Sequence, residues 1–205
     1  MSRIQANASL LRAIVLGALL STPFSTAQAA PPDAALMAKI KTATDGVLAK
    51  ITADPALVAA IKAQNGETAG MAEAAILAAD KQWRAETSAA AKPTIAKVEA
   101  NPASAMLKKA KADSKGLIDE AFAMDAKGLN VAMSDVTSDY WQGDEAKWSE
   151  TFGKGPAARH VSEVDFDESS QSYVVQVSLT VVDPADGKPV GAITFGLNVE
   201  ALNSL

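Results

Sequence analysis

The spacing of the apolar residues changes once along this sequence, near Lys115 and Gly116, and that change limits the folds open to it. Before this point the apolar residues recur at helical spacing in an Ala- and Lys-rich segment, and after it they alternate with period two. A helical spacing buries one stripe of a helix, whereas alternation buries one face of a strand. The sequence therefore predicts an α+β fold in which long N-terminal helices, residues 30–112, pack on an antiparallel sheet formed by residues 113–205.

Within the helical part, the sequence marks several helix boundaries. Asp54-Pro55 restarts the first helix, because an acidic cap followed by proline suits a helix start, and Asn65-Gly66 is expected to end the next. A third helix is expected from about Thr68, and Pro93 and Pro102 divide the remainder into short pieces. The stripe of the first helix that should face the core consists of Leu36, Ile40, Val47, Leu48 and Ile51.

Five strands are expected after Gly116, joined by hairpin-like connections. The first turn, Asp125 to Gly128, has Asp first and Gly last, as a tight hairpin prefers. Because short connections join antiparallel neighbours, the sheet should be antiparallel. The predicted strands are residues 117–124, 129–134, 160–166, 173–182 and 189–199.

The two faces of this sheet differ in kind. One face should carry bulky apolar side chains and bury the helices, and it consists of Val175, Val177, Leu179, Val181, Ile193, Phe195, Leu197, Val199, Leu129, Val131 and Met133. The other should be small and polar, and it consists of Gln176, Ser178, Thr180, Ala192, Thr194, Gly196, Asn198, Asn130, Ala132 and Ser134. Alternation alone leaves two readings of the polar face: a face open to water, or the floor of a polar cavity.

Residues 135–159, named the lid segment below, form the one long connection between predicted strands. The segment holds Tyr140, Trp141 and Trp148, rings with an apolar body and a polar tip that commonly line small-molecule sites. Loops of this length inside a compact domain are usually lids or binding segments. The alternative is that the rings cap the edge of the core.

The first residues read as an export signal. Arg3 and Arg12 precede an apolar run, residues 13–20, which is too short to span a bilayer, and small residues follow at Ala27-Gln28-Ala29. We therefore expect residues 1–29 to be a signal peptide whose cleavage releases a periplasmic or secreted protein that does not itself span the membrane. An uncleaved membrane anchor is the alternative.

Composition excludes several functions. With 19 Lys and Arg against 24 Asp and Glu, the chain has a net charge of −5 and no basic stripe for nucleic acid. The sequence has no cysteine and a single histidine, His160, so neither a disulfide framework nor a cysteine or histidine metal site is expected. The acids of the lid segment lack EF-hand spacing. No metal, no cofactor and no enzyme activity are predicted, since no nucleophile and base stand out.

Four stretches of this sequence carry a resemblance to a known family: residues 80–83, 124–132, 139–145 and 184–192. In this order they resemble a single Cache domain, the PAS-like extracytoplasmic sensor of bacterial chemoreceptors and histidine kinases. The resemblance covers about residues 33–203. The turn Asp125 to Gly128, the run Asp139 to Glu145 and the last strand are its most specific parts. This sequence differs from the family in one respect. Such domains usually continue into a transmembrane helix and a signalling module, whereas this sequence ends at Leu205, so direct signal output by this chain is not expected.

The resemblance implies helices on one side of the sheet and a small ligand, often a carboxylate or an amine, on the other side under a loop. The expected function is thus an exported sensor or binding domain for a small polar metabolite, an amine, an amino acid or a carboxylate, with a membrane receptor or histidine kinase as its partner. The alternative is a structural or interaction protein that docks a periplasmic partner without a ligand. The predicted binding residues are Ser134, Asp139, Tyr140, Trp141, Asp144, Trp148, Arg159, Gln176 and Ser178.

The charged residues allow two predictions of the charge that the ligand carries. Arg159 could pair with a carboxylate bidentately, or it could be a solvated charge at the end of a strand. Asp139, Asp144 and Glu145 lie among the aromatic rings, where an ammonium group would also gain cation–π contact. The second arrangement favours a ligand that carries an amine, including an amino acid that uses both ends.

Overall fold

The computed structural model of the protein describes residues 29–168 and 170–205. The predicted signal peptide, residues 1–29, lies outside the described residues except for Ala29. The helices are α1 (Ala34–Ala43), a π-helical turn (Thr44–Leu48), α2 (Ala49–Thr52), α3 (Pro55–Thr68), α4 (Glu73–Thr87), α5 (Pro93–Glu99), α6 (Pro102–Asp113), α7 (Ala146–Ser149), a 3₁₀ turn (Phe152–Lys154) and α8 (Val199–Asn203). The strands are β1 (Ile118–Met124), β2 (Asn130–Met133), β3 (Arg159–Asp167), β4 (Ser172–Val182) and β5 (Pro189–Asn198).

The five strands form one antiparallel sheet in the order β2-β1-β5-β4-β3. The predicted α+β class, with helices first and a five-stranded antiparallel sheet after them, is confirmed. Because β1 pairs with β5, the last long strand lies at the centre of the sheet, and β2 and β3 form its edges. No helix in the described part of the chain is long and apolar enough to cross a membrane.

One face of the sheet packs against helices and forms the larger core. Val175, Val177 and Phe195 are fully buried on this face, together with Leu57 and Leu107 from α3 and α6. Burial of apolar area contributes about 25 cal/mol per Å², so this face contributes much of the folding free energy. The predicted bulky face of β4 and β5 is therefore the helix face.

A bulge in β2 overturns the predicted faces of that strand. Ala132 pairs with Ala123 on the helix face, while Met133 pairs with Phe122 and joins the cluster on the opposite face. The register shifts between Ala123 and Met124, and an extra residue in one strand exchanges the faces of the residues beyond it. The strict alternation predicted for this hairpin was wrong for Ala132 and Met133.

Two helix predictions also need correction. Helix α3 continues through Asn65 to Thr68, and α4 begins only at Glu73. Asn65 does not end the helix because its side chain makes tertiary contacts instead, donating to the carbonyl of Val190 at 2.7 Å and accepting from the backbone N–H of Ala126 at 2.7 Å. The π-helical turn breaks the predicted stripe: Val47 is exposed, whereas Leu48 is fully buried.

Candidate functional site

The polar face of the sheet is covered. Ser178 and Thr194 lie on neighbouring strands, are fully buried, and share a hydrogen bond of 2.9 Å between their hydroxyl groups. Beside them a second apolar cluster contains Phe122, Met133 and Trp83, against which Tyr140, Trp148 and Phe152 of the lid segment pack. The lid segment therefore lies over this face, and the reading of a face open to water does not describe it.

The lid segment is fastened to the turn that joins β1 and β2. The indole N–H of Trp141 donates to the carbonyl of Lys127 at 2.8 Å, and that of Trp148 donates to the carbonyl of Asp125 at 3.0 Å. Gly128 has a positive φ of 81°, and a Cβ placed on it would lie 2.5 Å from the Cα of Gly143. Only glycine permits this approach between turn and lid segment.

Helix α4 holds the lid segment from the other side. One carboxylate oxygen of Asp80 accepts the backbone N–H groups of Tyr140 at 2.9 Å and Trp141 at 3.0 Å. Arg84 donates from Nε to the other Asp80 oxygen at 2.8 Å and pairs through Nη1 with Asp139 at 3.0 Å. These contacts fix the backbone of the lid segment where it leaves the sheet.

Aromatic stacking adds to this attachment. The ring of Tyr140 stacks on that of Trp83 with centroids 5.1 Å apart, and the indole N–H of Trp83 donates to the carbonyl of Thr137 at 2.8 Å. Burial raises the pKa of Tyr140 to about 12, so its hydroxyl stays neutral at physiological pH. The amide of Asn130 donates to the Thr137 hydroxyl at 2.7 Å and to the Asp139 carbonyl at 2.9 Å.

Between the sheet and the lid segment lies a small polar cavity of about 140 Å³, named the lid cavity. Strands β1 and β4 form its floor and the lid segment forms its walls. Cavities that hold drug-sized ligands usually measure about 300–1,000 Å³, so the lid cavity suits a compact molecule. Its lining consists of Glu120, Phe122, Val136, Thr137, Ser138, Gln142, Lys147 and Gln176.

A half-buried carboxylate lies on the floor of the lid cavity. Glu120 of β1 and Gln176 of β4 flank Gly196 in register, and the Gln176 amide donates to the Glu120 carboxylate at 3.1 Å. A Cβ on Gly196 would lie 2.6 Å from the Cγ of Glu120, so the missing side chain leaves room for the pair. Burial raises the pKa of the Glu120 carboxyl, although the Gln176 hydrogen bond and the positive charge of Lys147 oppose the shift.

A cation lies in the wall of the lid cavity. The side chain of Lys147 is only 15% exposed; its ammonium lies 5.5 Å from the centroid of the Phe122 ring and donates to Gln142 at 3.3 Å. Its ionic partner is Glu145 at 2.9 Å, on the more exposed side. The lid cavity thus carries a carboxylate on its floor and an ammonium in its wall.

Comparisons with known proteins come from structure alone, since no family model and no curated protein matches the sequence. The structural neighbours are sensor domains. The sensor domain of the V. cholerae histidine kinase DctB shares 13% identity at a TM-score of 0.46, and the match covers 83% of this chain and 54% of that chain. The ligand-binding domain of the Campylobacter jejuni chemoreceptor Tlp3, in complex with 4-methylisoleucine, shares 13% identity at a TM-score of 0.39, covering 84% and 63%.

The ligand-binding domain of the Pseudomonas aeruginosa amino acid chemoreceptor PctC, in complex with GABA, shares 15% identity at a TM-score of 0.40, covering 62% of this chain and 54% of that chain. The chain therefore spans between 54% and 63% of the length of these three domains. All three TM-scores are below 0.5.

The predicted binding residues divide into groups. Gln176 lines the lid cavity, and Ser178 is buried on the same face with Thr194 as its partner. Asp139, Tyr140, Trp141 and Trp148 make the contacts to α4 and to the first turn described above. Asp144 is exposed. Ser134 accepts the backbone N–H of Ala121 at 2.8 Å and donates to Asp135 at 2.7 Å.

Arg159 does not share a face with the lid cavity. It pairs with Leu179, which packs on the helix-face core, whereas its neighbour His160 pairs with Ser178 on the lid side. Successive residues of a strand point to opposite faces, so the predicted carboxylate clamp at Arg159 cannot reach Gln176 and Ser178. This grouping of Arg159 with the other site residues needs correction.

Of the residues that line the lid cavity, the sequence prediction included only Gln176 and missed Glu120, Lys147 and the rest. One signal was present, since Glu120 and its neighbour Asp119 are two charged residues in a strand, Ile118–Met124, whose other residues are apolar. Which face it occupies depends on a register shift between Ile118 and Glu120, which period-two counting does not reveal. Among the described residues, no group of three or more acidic or histidine side chains could hold a metal ion.

Proposed function

We propose that the protein is an exported sensor or binding domain whose lid cavity takes a small ligand through an ammonium group paired with Glu120. The observation that supports this is the half-buried Glu120 carboxylate, whose one side-chain hydrogen-bond donor among the described residues is the neutral amide of Gln176. A partly desolvated carboxylate without an ion-pair partner is costly to ionise, and a ligand ammonium provides that partner. Glu120 replaces Asp139 and Glu145 as the proposed partner of the ligand ammonium. Asp139 is already paired with Arg84, and Glu145 is already paired with Lys147.

The Lys147 ammonium in the wall of the lid cavity suits an acidic group on the same ligand. Lys147 has three N–H donors, and Glu145 and Gln142 take two of them. A carboxylate facing Lys147 and an ammonium facing Glu120 describe an amino acid with a small side chain, in keeping with a volume of about 140 Å³. Thr137 and Ser138 also line the lid cavity, and their hydroxyls donate to the carbonyl and the carboxylate of Asp139 respectively.

The test uses three matched probes: L-alanine, ethylamine, which lacks the carboxylate, and propionate, which lacks the amine. L-alanine at 100 times its dissociation constant should stabilise the native state by about 2.7 kcal/mol, which corresponds to roughly 5–10 °C in Tm for a chain of this size. Ethylamine should give a smaller shift and propionate none. Binding of propionate as tight as that of L-alanine contradicts the role of Glu120.

A binding domain without a ligand is the second candidate, an interaction protein that docks a periplasmic partner. Under that function no amine, amino acid or organic acid would raise the Tm, because nothing would bind the native state preferentially. A thermal-shift screen over these three classes separates the two functions. For the sensor function, the partner proposed is a membrane receptor or histidine kinase that reads the ligand-bound state.

Export is part of the same proposal and rests on the first residues of the sequence. We expect the mature chain to begin at Ala30 or Pro31 and to be recovered in the periplasmic or secreted fraction. Intact-mass measurement of the protein from its natural compartment gives the cleavage site directly. A membrane-bound product that retains Met1 to Ala29 would show an anchor instead.

A further inference from the structure

A groove distinct from the lid cavity runs along the helix side of the sheet edge, and it is named the edge groove. It consists of two adjoining cavities of about 340 and 310 Å³, which share Thr44 and Arg159. Each cavity falls in the usual size range of small-molecule sites. The lining is mostly apolar and consists of Ala34, Met37, Ala38, Ile40, Lys41, Thr44, Asp45, Ala49, Thr52, Ala53, Pro156, Ala157, Ala158, Arg159, Val161, Leu179, Thr180 and Val182.

Arg159 is exposed to solvent and is the charged residue of the edge groove that has no ion-pair partner among the described residues. Its side chain has no ion pair and no hydrogen bond to the part of the chain that the structure describes. The other two charged residues of the groove, Lys41 and Asp45, pair with each other. One guanidinium is therefore left where the two apolar cavities meet.

The backbone beside Arg159 is also unusual. Thr44 begins the π-helical turn, and the backbone N–H of Ala49 donates to the Thr44 carbonyl five residues earlier. Such turns occur frequently at functional sites. Here the turn borders both cavities, because Thr44 lines each of them and Ala49 lines the larger.

We propose that the edge groove binds a free fatty-acid-type carboxylate, with its acid group on Arg159 and its unbranched chain along the apolar walls. The guanidinium offers two parallel donors that match a carboxylate. A dianionic phosphate fits less well, because Asp45 lies in the same groove and Lys41 is already paired. The apolar lining on both sides of Arg159 buries the hydrocarbon chain of the ligand.

Decanoate is the probe, titrated against protein with ¹³C-labelled methionine methyl groups. Met37 lines the edge groove, whereas Met124 and Met133 belong to the cluster under the lid segment. Decanoate should shift the Met37 signal in a saturable way and leave the other two in place. Arg159→Gln should weaken binding roughly tenfold, which corresponds to one charge-assisted hydrogen-bonded contact.

Matched variants separate this site from general surface binding. Ala49→Trp should block the larger cavity and weaken binding, whereas Ala105→Trp on the exposed side of α6 should not. Lys154→Gln removes a nearby surface charge and should leave the affinity unchanged. Glu120→Gln should also leave it unchanged, which makes this result independent of the lid cavity.

Three results would overturn the proposal: decylamine binding as tightly as decanoate, an unchanged affinity in Arg159→Gln, or binding to anionic vesicles in the absence of any Met37 shift with free decanoate. The last would identify the groove as a membrane-contacting surface. Concentrations below the micellar range keep the first two comparisons free of detergent effects.

Discussion

Glu120→Gln is expected to weaken binding of L-alanine by at least about thirtyfold while leaving the ligand-free protein folded. Removing one member of a buried, hydrogen-bonded charge pair costs about 2–5 kcal/mol of binding free energy, and about 1.4 kcal/mol corresponds to tenfold in affinity. The substitution keeps the shape of the side chain and retains a partner for the Gln176 amide. Isothermal titration of the variant and the parent protein measures the difference.

The same carboxyl predicts how binding depends on pH. Burial raises the pKa of Glu120, so in the ligand-free protein its contribution to stability is fully present below the ordinary range of a glutamate carboxyl and is lost as pH rises through the raised pKa. An ammonium ligand needs the ionised form. Affinity should therefore fall about tenfold for each unit of pH below the raised pKa, with a proton released on binding, and Glu120→Gln should abolish this dependence.

Asp119→Asn is the matched control, because Asp119 is the neighbouring acid of the same strand and its carboxylate accepts from the Ser172 hydroxyl at 2.9 Å, outside the lid cavity. It should change neither the affinity nor its pH profile. If Glu120→Gln binds L-alanine like the parent protein while Asp119→Asn does not, the ammonium site has been assigned to the wrong acid.

Much of the fold could be predicted because each element has its own local signal. Pro55 after Asp54 and Pro102 after Asn101 begin helices as capping chemistry requires, and in both cases the cap side chain accepts a backbone N–H in the structure. Apolar and polar residues alternate regularly in β4 and β5, so every second residue correctly predicts the face that packs on the helices. The same period of two failed in β2, where a bulge shifts the register by one residue.

The lining of the lid cavity could not be predicted, for a different physical reason. Glu120, Gln176 and Gly196 come together only through the pairing of β1, β5 and β4, and their sequence positions are far apart. The aromatic residues of the lid segment were the conspicuous candidates. In the structure the Trp141 and Trp148 indole N–H groups donate to main-chain carbonyls of the first turn, and polar residues between the rings line the cavity.

The lid segment also links the apolar cluster around Trp83 to binding. Trp83, Asp80 and Asn130 hold Thr137 and the backbone of residues 139–141, and Thr137 lines the lid cavity. A residue that never touches the ligand can thus determine the position of one that does. Trp83 is therefore a positioning residue, and its effect on binding can be separated from a general loss of stability.

Trp83→Ala is expected to lower the free energy of unfolding by about 3–5 kcal/mol and also to weaken L-alanine binding. The side chain is fully buried, and its loss leaves a cavity, removes the stack with Tyr140 and leaves the Thr137 carbonyl without its 2.8 Å donor. Phe195→Ala should cost about as much stability, since Phe195 is equally buried on the helix face. Denaturant unfolding and calorimetry measure the two quantities separately.

The comparison between these two variants decides whether Trp83 acts through the lid segment. Phe195 lies in the core that faces the helices, so Phe195→Ala should keep the parent affinity under conditions where both variants remain folded. Trp141→Ala and Trp148→Ala should cost less stability than Trp83→Ala, because both rings are only partly buried. Equal losses of affinity in Trp83→Ala and Phe195→Ala would mean that binding follows overall stability, and the attachment of Thr137 through α4 would then play no separate part in forming the site.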